Sequence, residues 1–430
     1  MTISHWSRTA SRPHTLETDV CVLGAGIAGL SAALAVQRHR QRCVILERAT
    51  LGAGASSRNA GFLMRGAACH YAEAVDLYGR QRARDLWRFT ESNLEGLRRE
   101  GVESLPSYRA VPSALVALRT ESLAGRPFHP WARDRATLAS DLASLERSRD
   151  LMLEDGLRVG WIDDNARSHQ LSDDAWRSGL IAAALVNPDD ASVNSVELLR
   201  FLAARLAPDP GRTPEQPILE NQEVFALEPG ASDVLVRTAD FSVRARHVLV
   251  CTNAYAPLLF PQLADLLAPR RGQMLALSSM GRTLGASYYC NDGSEYFRQA
   301  ADSTIVVGGC RTYFADAEVG YEDRTTEAVQ RSLESFARAI LAVEPGQPLP
   351  VLARWSGLMA FTPDALPILG PIDHARPASH APALGPRVWI CSACTGHGMS
   401  MSFQAAHEAV DAMLHERTPP FHVGRFASRA

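Results

Sequence analysis

Gly24, Gly26 and Gly29 stand in the run Gly-Ala-Gly-Ile-Ala-Gly directly after an apolar stretch, and an acid, Glu47, follows about 20 residues later. The first glycine permits a tight turn, the second lets backbone approach a pyrophosphate, and the third lets a helix pack closely on a strand. Phosphate oxygens then meet the free N–H groups and positive end of that helix. Glu47 is placed to accept hydrogen bonds from ribose hydroxyls, and its charge suits an unphosphorylated ribose. The chemistry implied is dinucleotide binding; the plainer alternative is a Gly-rich loop in an ordinary α/β core. Tyr296 and Arg298 lie two apart in a strand-like run, so they share a face. Arg298 can hold an anion there or pair with Glu295 or Asp302. His397, between Gly396 and Gly398, is a candidate polar group beside a ligand, or a cap that touches only backbone. Arg65 and Arg311 are weaker anion-binding candidates. Cys391 and Cys394, near His397, carry no metal expectation: a lone Cys-x-x-Cys lacks a second pair of ligands, and strand alternation puts the two on opposite faces.

The elements that must position these residues follow from periodicity. Val20, Val22 and Leu23 form a strand that runs into the glycines, Leu30, Leu34 and Val36 continue at helical spacing, and Cys43 to Leu46 is a second strand. The first 17 residues are read as a surface arm. Residues 71–100 and 131–155 read as amphipathic helices, with a strand from Arg109 to Leu118 between them. Asn187 to Asp190 is a turn, and Ser192 or Asn194 can cap the helix that follows through Leu206. Pro208 to Pro217 reads as a loop. Ile218 to Val250 reads as an antiparallel insert of three or four strands, ending in a buried strand from His247 to Cys251. Further strands are expected at Arg271 to Leu277, Tyr288 to Cys290, Glu295 to Gln299, Ser303 to Val307, Val351 to Phe361 and Arg387 to Ser392. Helices are expected from Arg324 to Leu341 and Met399 to Leu414.

The chain has 430 residues, enough for two domains, and a net charge of −3 that gives no reason to expect nucleic acid as partner. All 44 basic residues are arginine. Without lysine, no Schiff-base lysine, phosphate-loop lysine or lysine general base is available. Eight cysteines are too few for a disulfide framework. With no export signal or membrane span read in the sequence, the cytoplasm is the expected location.

Three separated motifs, Gly24 to Glu47, Val248 to Ala254 and Thr395 to Ser400, together resemble the D-amino-acid oxidase superfamily of FAD enzymes. Within it the resemblance is to the glycine oxidase, sarcosine oxidase and gamma-glutamylputrescine oxidoreductase branch. The run Ser56-Ser57-Arg58-Asn59-Ala60-Gly61, the stretch Trp355 to Thr362 and Asp364 to Gly370 are each similar to that branch. The resemblance implies that Gly24, Ala25, Gly26, Ile27, Ala28 and Gly29 hold the pyrophosphate and Glu47, with Arg48, the ribose. It places Ser56, Ser57, Arg58, Asn59, Ala60 and Gly61 along the ribityl chain and flavin edge, and Thr252 and Asn253 also at the cofactor. Val224 is the implied backbone contact to adenine, or else an ordinary strand valine. Gly396, His397, Gly398 and Met399 open the last helix towards the flavin. Relatives that bind flavin covalently use a Cys near the Trp355 motif or a His near Arg58; neither is present, so non-covalent FAD is expected. If the face bearing Tyr296 and Arg298 lies over the flavin, Arg298 can pair with a substrate carboxylate and Tyr296 can line the pocket.

The fold expected is α/β, a composite of a Rossmann-like FAD-binding domain and an antiparallel-sheet substrate domain built from interleaved segments. Residues 18–80, 185–260 and 355–420 are assigned to the first, and 81–184 and 261–354 to the second. The function expected is oxidation of a small amine or amino acid by hydride transfer to flavin N5, with His397, Tyr296 and Arg298 as candidate catalytic residues. Oxygen or a quinone-type acceptor would take the electrons. Two alternatives stay open: a flavin-binding redox sensor or subunit without turnover, and a nicotinamide-dependent dehydrogenase.

Overall fold

The computed structural model describes residues 14–67, 69–120, 138–163, 173–208, 217–344, 346–375 and 383–427. Most of the expected arm, the 131–137 end of one expected helix and nearly all of the 208–217 loop lie outside them. Contacts divide the chain into two units: one from segments 1–57, 199–270 and 359–430, the other from 58–198 and 271–358.

In the first unit the apolar run after Asp19 becomes the inner part of a strand, His14–Leu23, that starts within the expected arm. It lies between parallel neighbours, Phe241–Val250 on one side and Cys43–Leu46 on the other. Val388–Ser392 continues the sheet in parallel beyond Phe241–Val250, and Ile218–Leu219 does so beyond Cys43–Leu46. The inner parts of these strands, residues 19–23, 43–46, 248–250 and 388–392, are buried without alternation, as in a parallel sheet covered on both faces, whereas the outer halves of His14–Leu23 and Phe241–Val250 carry exposed residues in alternation. The helices Ile27–Arg38 and Gly398–Leu414 each follow one of the parallel strands and pack on each other. Both therefore begin at the carboxyl edge of the sheet and run back in the same direction. The expected insert is a three-stranded meander of Ala226–Pro229, Val234–Arg237 and the first half of Phe241–Val250. Its last strand and the buried strand are one continuous element, and Ile218–Leu219 pairs elsewhere.

The second unit is organised on an eight-stranded sheet in the order Val351–Phe361, Ala268–Leu277, Ile305–Gly309, Glu295–Gln299, Ser287–Cys290, Ser113–Leu118, Ile181–Asn187, Gly160–Asp163. All of its described pairings are antiparallel except Ser287–Cys290 with Ser113–Leu118. Segments 58–80 and 185–198, expected in the cofactor domain, cluster here instead. Phe62–Leu63 pairs with Ala191–Ser192, and the Tyr71–Tyr78 helix packs on its neighbours Arg80–Arg99 and Leu138–Glu154. The expected helix over 71–100 is two helices, because Gly79 at φ +84 turns the chain between them. Asn194 caps the Ser195–Ala203 helix, its Oδ1 accepting from Val196 N at 2.9 Å. The helix expected from Arg324 starts at Glu327, and the strand expected from Arg109 starts at Ser113, Arg109 forming only an isolated bridge to Ser192. Among the described residues no helix is long and apolar enough to cross a membrane.

Candidate functional site

The three glycines of the first unit are required by their neighbours. Gly24 has φ +99, and a Cβ on it would sit 3.0 Å from Cys251 O. A Cβ on Gly26 would come within 2.8 Å of Ser56 Oγ, and one on Gly29 within 1.8 Å of Gly24 O. The turn is tied to the second strand by Gly24 N donating to Leu46 O at 2.8 Å. Gly26 is the N-cap of the Ile27–Arg38 helix and offers no side-chain oxygen to its amides; Ser56 Oγ accepts from Ile27 N at 3.1 Å. No acid stands in that helix's first turn. The positive end is thus available to an anion.

Glu47 is half-buried beside this turn. Its Oε2 accepts from Ala25 N at 2.8 Å and its Oε1 from Ala49 N at 2.9 Å. One amide on each oxygen fixes the carboxylate and leaves further lone pairs for two hydroxyl donors. Arg48 is exposed, its guanidinium 4.3 Å from the Tyr255 ring centroid. Gln222 N donates to Glu47 O at 2.8 Å, which brings the 219–222 segment alongside. Val224 follows in a loop and not in a strand, so its reading as an ordinary strand valine falls away. At the carboxyl ends of two parallel strands, Thr252 Oγ1 and Ser392 Oγ are buried without a hydrogen-bond partner. Neighbouring Asn253 has φ +50.

The Gly398–Leu414 helix opens at the same edge. Thr395 at φ +43 and Gly396 at φ +84 make the turn, and His397 is the N-cap, with no side-chain cap bond to the helix. His397 Nδ1 donates to Thr395 O at 3.1 Å. Burial lowers its pKa, partly opposed by that carbonyl, so the ring is neutral near pH 7. Gly398 and Met399 form the first turn, which also lacks an acid. Cys394 is not on the Val388–Ser392 strand, so alternation does not place it: Ala393 has φ +60, and Cys394 Sγ meets Ser402 Oγ at 3.6 Å. The Cys391 thiol pairs with Cys251 and is pushed up by that bond and by burial; burial pushes Cys394 up to about 12.

The expected flavin-edge run divides between the units, Ser56 and Ser57 in the first and Arg58 to Gly61 in the second. Ser57 Oγ closes the preceding turn onto Gly54 O at 3.1 Å. Arg58 is neutralised by Asp323, with Nη1 2.7 Å from both carboxylate oxygens, and its carbonyl accepts from Trp355 Nε1 at 3.0 Å. Asn59 Oδ1 accepts from Gly61 N at 2.8 Å. Gly61, at φ +74, has no room for a Cβ against Val193 O.

Arg298 departs from both sequence expectations. It is 5% exposed and its guanidinium meets carbonyls: Nε donates to Ala60 O, Nη2 to Val193 O at 2.9 Å and Nη1 to Gln299 O at 3.3 Å. Glu295 instead accepts from Asn291 Nδ2, and Asp302 accepts from Thr304 N at 3.0 Å and acts on Arg298 only through its charge. Burial, with Arg109 nearby, lowers its pKa to about 10. Its donors are already committed to holding the Ala60 and Val193 segments together, which makes it a positioning residue. Tyr296, on the same face, lies across Gly308, where a Cβ would come within 2.3 Å of its ring. Its hydroxyl meets Met274 Sδ at 3.4 Å, and its ring joins Tyr289 and Phe62 at centroid distances of 5.5 and 5.9 Å. Burial raises the phenols of both tyrosines, Tyr296 to about 12, so both stay protonated. Phe62, Met274 and Tyr289 were not singled out by sequence; strand parity of Tyr289 opposite Tyr296 was the available signal. Arg65 is buried on Glu91 and Asn187, at 2.8 and 3.0 Å, and Arg311 opens a short 3-10 turn.

A family model described as "FAD dependent oxidoreductase" matches residues 19–412. Gamma-glutamylputrescine oxidoreductase of Escherichia coli (strain K12) is 24% identical over 399 residues, covering 86% of this chain and 82% of that protein. Glycine oxidase of Geobacillus kaustophilus (strain HTA426) is 24% identical over 360 residues, covering 82% and 84%. The crystal structure of glycine oxidase from Geobacillus kaustophilus superposes with a TM-score of 0.69 at 17% identity, covering 96% of this chain and 98% of that one. L-proline dehydrogenase from P. horikoshii gives 0.70 at 16% identity with the same coverage. The unpartnered hydroxyls, the glycine turn and two helix starts without an acid in the first turn, all on one sheet edge, fit an FAD.

Proposed function

This chain belongs to the family of FAD dependent oxidoreductases, and on that premise we propose that it oxidises the C–N bond of a small amine or amino acid to an imine. The bound flavin supplies the hydride acceptor, at N5. Gly24 to Gly29 hold the pyrophosphate, Glu47 the ribose, and Thr252 Oγ1 donates to the cofactor. The observation that carries the cofactor assignment is the pairing of Glu47 with Ala25 N, which sets a carboxylate with spare lone pairs against a helix start that bears no acid in its first turn. Gly396 to Met399 present a second helix start, whose amides stabilise negative charge on a reduced flavin. The amine class is supported by the names of the relatives, a gamma-glutamylputrescine oxidoreductase and a glycine oxidase.

The protein's own part in such a reaction is orientation and exclusion of water, since a substrate amine that arrives neutral needs no strong base. Neutral His397 is a hydrogen-bonding group beside the reacting centre rather than a fixed charge. The aromatic face of Phe62, Tyr289 and Tyr296 suits an alkyl chain or a neutral amine. Arg298 orders the Asn59–Gly61 turn. Oxygen or a quinone-type compound accepts the electrons. The test is anaerobic addition of a panel of amines and amino acids to the FAD-loaded protein, read as bleaching of the flavin band. At least one compound is expected to bleach it within seconds; bleaching by dithionite but by no amine would turn the assignment towards a flavin-binding sensor.

A further inference from the structure

The two helices that start at the cofactor edge end together at the other side of the first unit, because each follows one of two strands that run parallel. The C-cap of Ile27–Arg38 is His39, and the C-cap of Gly398–Leu414 is His415. Asp411 stands one turn before His415. Its Oδ1 lies 3.5 Å from His415 Nε2 and 3.8 Å from His39 Nε2, and one ligand atom from each of the three residues lies within 4.8 Å of the others. The two rings meet edge to face with centroids 5.3 Å apart.

We propose that His39, Asp411 and His415 bind a first-row divalent metal ion of the zinc type. Bonds of about 2.0–2.1 Å to imidazole nitrogen and carboxylate oxygen in a tetrahedral shell put neighbouring ligand atoms about 3.3 Å apart. The observed separations need only small rotations of half-exposed side chains to reach that value. Two imidazoles and one carboxylate are a borderline ligand set that suits zinc and leaves the fourth position to water. Two helix C-termini converge there, and their partial negative charge favours a cation. Arg417 is paired with Asp411 Oδ2, which leaves Oδ1 turned towards the two rings. That guanidinium also opposes a second positive charge, so the ion binds less tightly than in a closed structural site. His407, one turn earlier on the same helix, is excluded as a ligand: its Nε2 is bonded to Arg38 at 3.0 Å and its Nδ1 to Phe403 O at 2.9 Å.

The Ile27–Arg38 helix has 12 residues, so at about 1.5 Å per residue the metal lies about 18 Å from the glycine turn and takes no part in the chemistry. Its effect is to fasten the two helix ends to each other. The test uses the full-length, FAD-loaded protein without an affinity tag, titrated calorimetrically with zinc chloride in a non-chelating buffer. One ion per chain is expected to bind. His39→Ala and His415→Ala are each expected to weaken binding at least tenfold, while His407→Ala leaves it unchanged. Zinc should raise the unfolding temperature of the parent and not that of the His39→Ala/His415→Ala double variant. All three histidines are partly exposed, so the variants fold. Absence of saturable binding, or equal affinity in parent and double variant, overturns the assignment.

Discussion

Arg298 is where a positioning role and a substrate-binding role predict different numbers. Arg298→Met keeps length and apolar bulk but removes the donors to Ala60 O, Val193 O and Gln299 O. Hydrogen bonds from a charged donor contribute about 1.5–3 kcal/mol each, so losing the two stronger ones costs about 3–6 kcal/mol. Against this, methionine avoids burying a charge. A pKa lowered to about 10 from 12.5 puts that saving on the order of 3 kcal/mol. The net expectation is a destabilisation of about 0–3 kcal/mol, seen as a lower unfolding temperature, with kcat/KM reduced by a similar factor for substrates with and without a carboxylate. Arg298→Lys should recover part of the stability, since an ammonium still reaches one or two carbonyls but lacks the planar fork. A residue that binds substrate carboxylate would behave otherwise. Loss of a buried charge pair costs about 2–5 kcal/mol in binding, at least tenfold in KM, and only for carboxylate-bearing substrates. An unchanged unfolding temperature with such a selective rise in KM would refute the positioning argument.

Glu47→Arg removes the acceptor for Ala25 N and Ala49 N and, on the proposed assignment, for the ribose, and FAD occupancy after extensive dialysis should fall, by about 1–3 kcal/mol of binding. Acid precipitation of the holoprotein should release flavin into the supernatant; a yellow pellet would show a covalent link. His397 has a folded pKa below its ordinary 6.5, so the unfolded chain takes up the proton first and stability contributed by neutral His397 is lost as pH falls below 6.5. His397→Gln should show a shallower acid loss of unfolding temperature than the parent over that range, and a parallel slope would remove His397 from the account. Reoxidation by oxygen should be slower than reduction by substrate, because no lysine is present, Arg298 is committed to carbonyls and His397 is neutral. Stopped-flow mixing of reduced enzyme with oxygenated buffer, beside a quinone acceptor, measures this.

The strand, glycine turn and helix over residues 19–38 were legible in the sequence because their spacing is local. Gly29 answers to Gly24 O within the turn itself and Gly24 to Cys251 O at the end of the adjoining strand, while Gly26 faces Ser56 Oγ from a later turn. The strands Gly160–Asp163 and Ile181–Asn187 were not anticipated. Ile-Ala-Ala-Ala-Leu-Val has no alternation and its alanines favour helix; it is a strand because Ser113–Leu118 and Gly160–Asp163 pair on its two sides. The 71–100 segment shows the reverse case. Its helical period was correct, yet one glycine at positive φ was enough to divide it.

The same division explains the site residues. Strand parity placed Tyr296 and Arg298 on one face, and they do share it. What Arg298 does there depends on Ala60 and Val193, 238 and 105 residues away in the chain. Nothing in the local sequence marks those carbonyls as acceptors, since every residue carries one. The side-chain type told what could be donated, and the long-range fold selected the recipient. For a buried arginine the selection has a thermodynamic sense: with Glu295 turned towards Asn291 and Asp302 closing its own turn on Thr304 N, neutral carbonyls and the Ser192 hydroxyl are the acceptors it meets. They satisfy the geometry of the guanidinium without cancelling its charge. Arg298 therefore remains a buried cation among neutral acceptors, which is why burial lowers its pKa and why its removal should be read first in the stability of the Ala60 and Val193 segments.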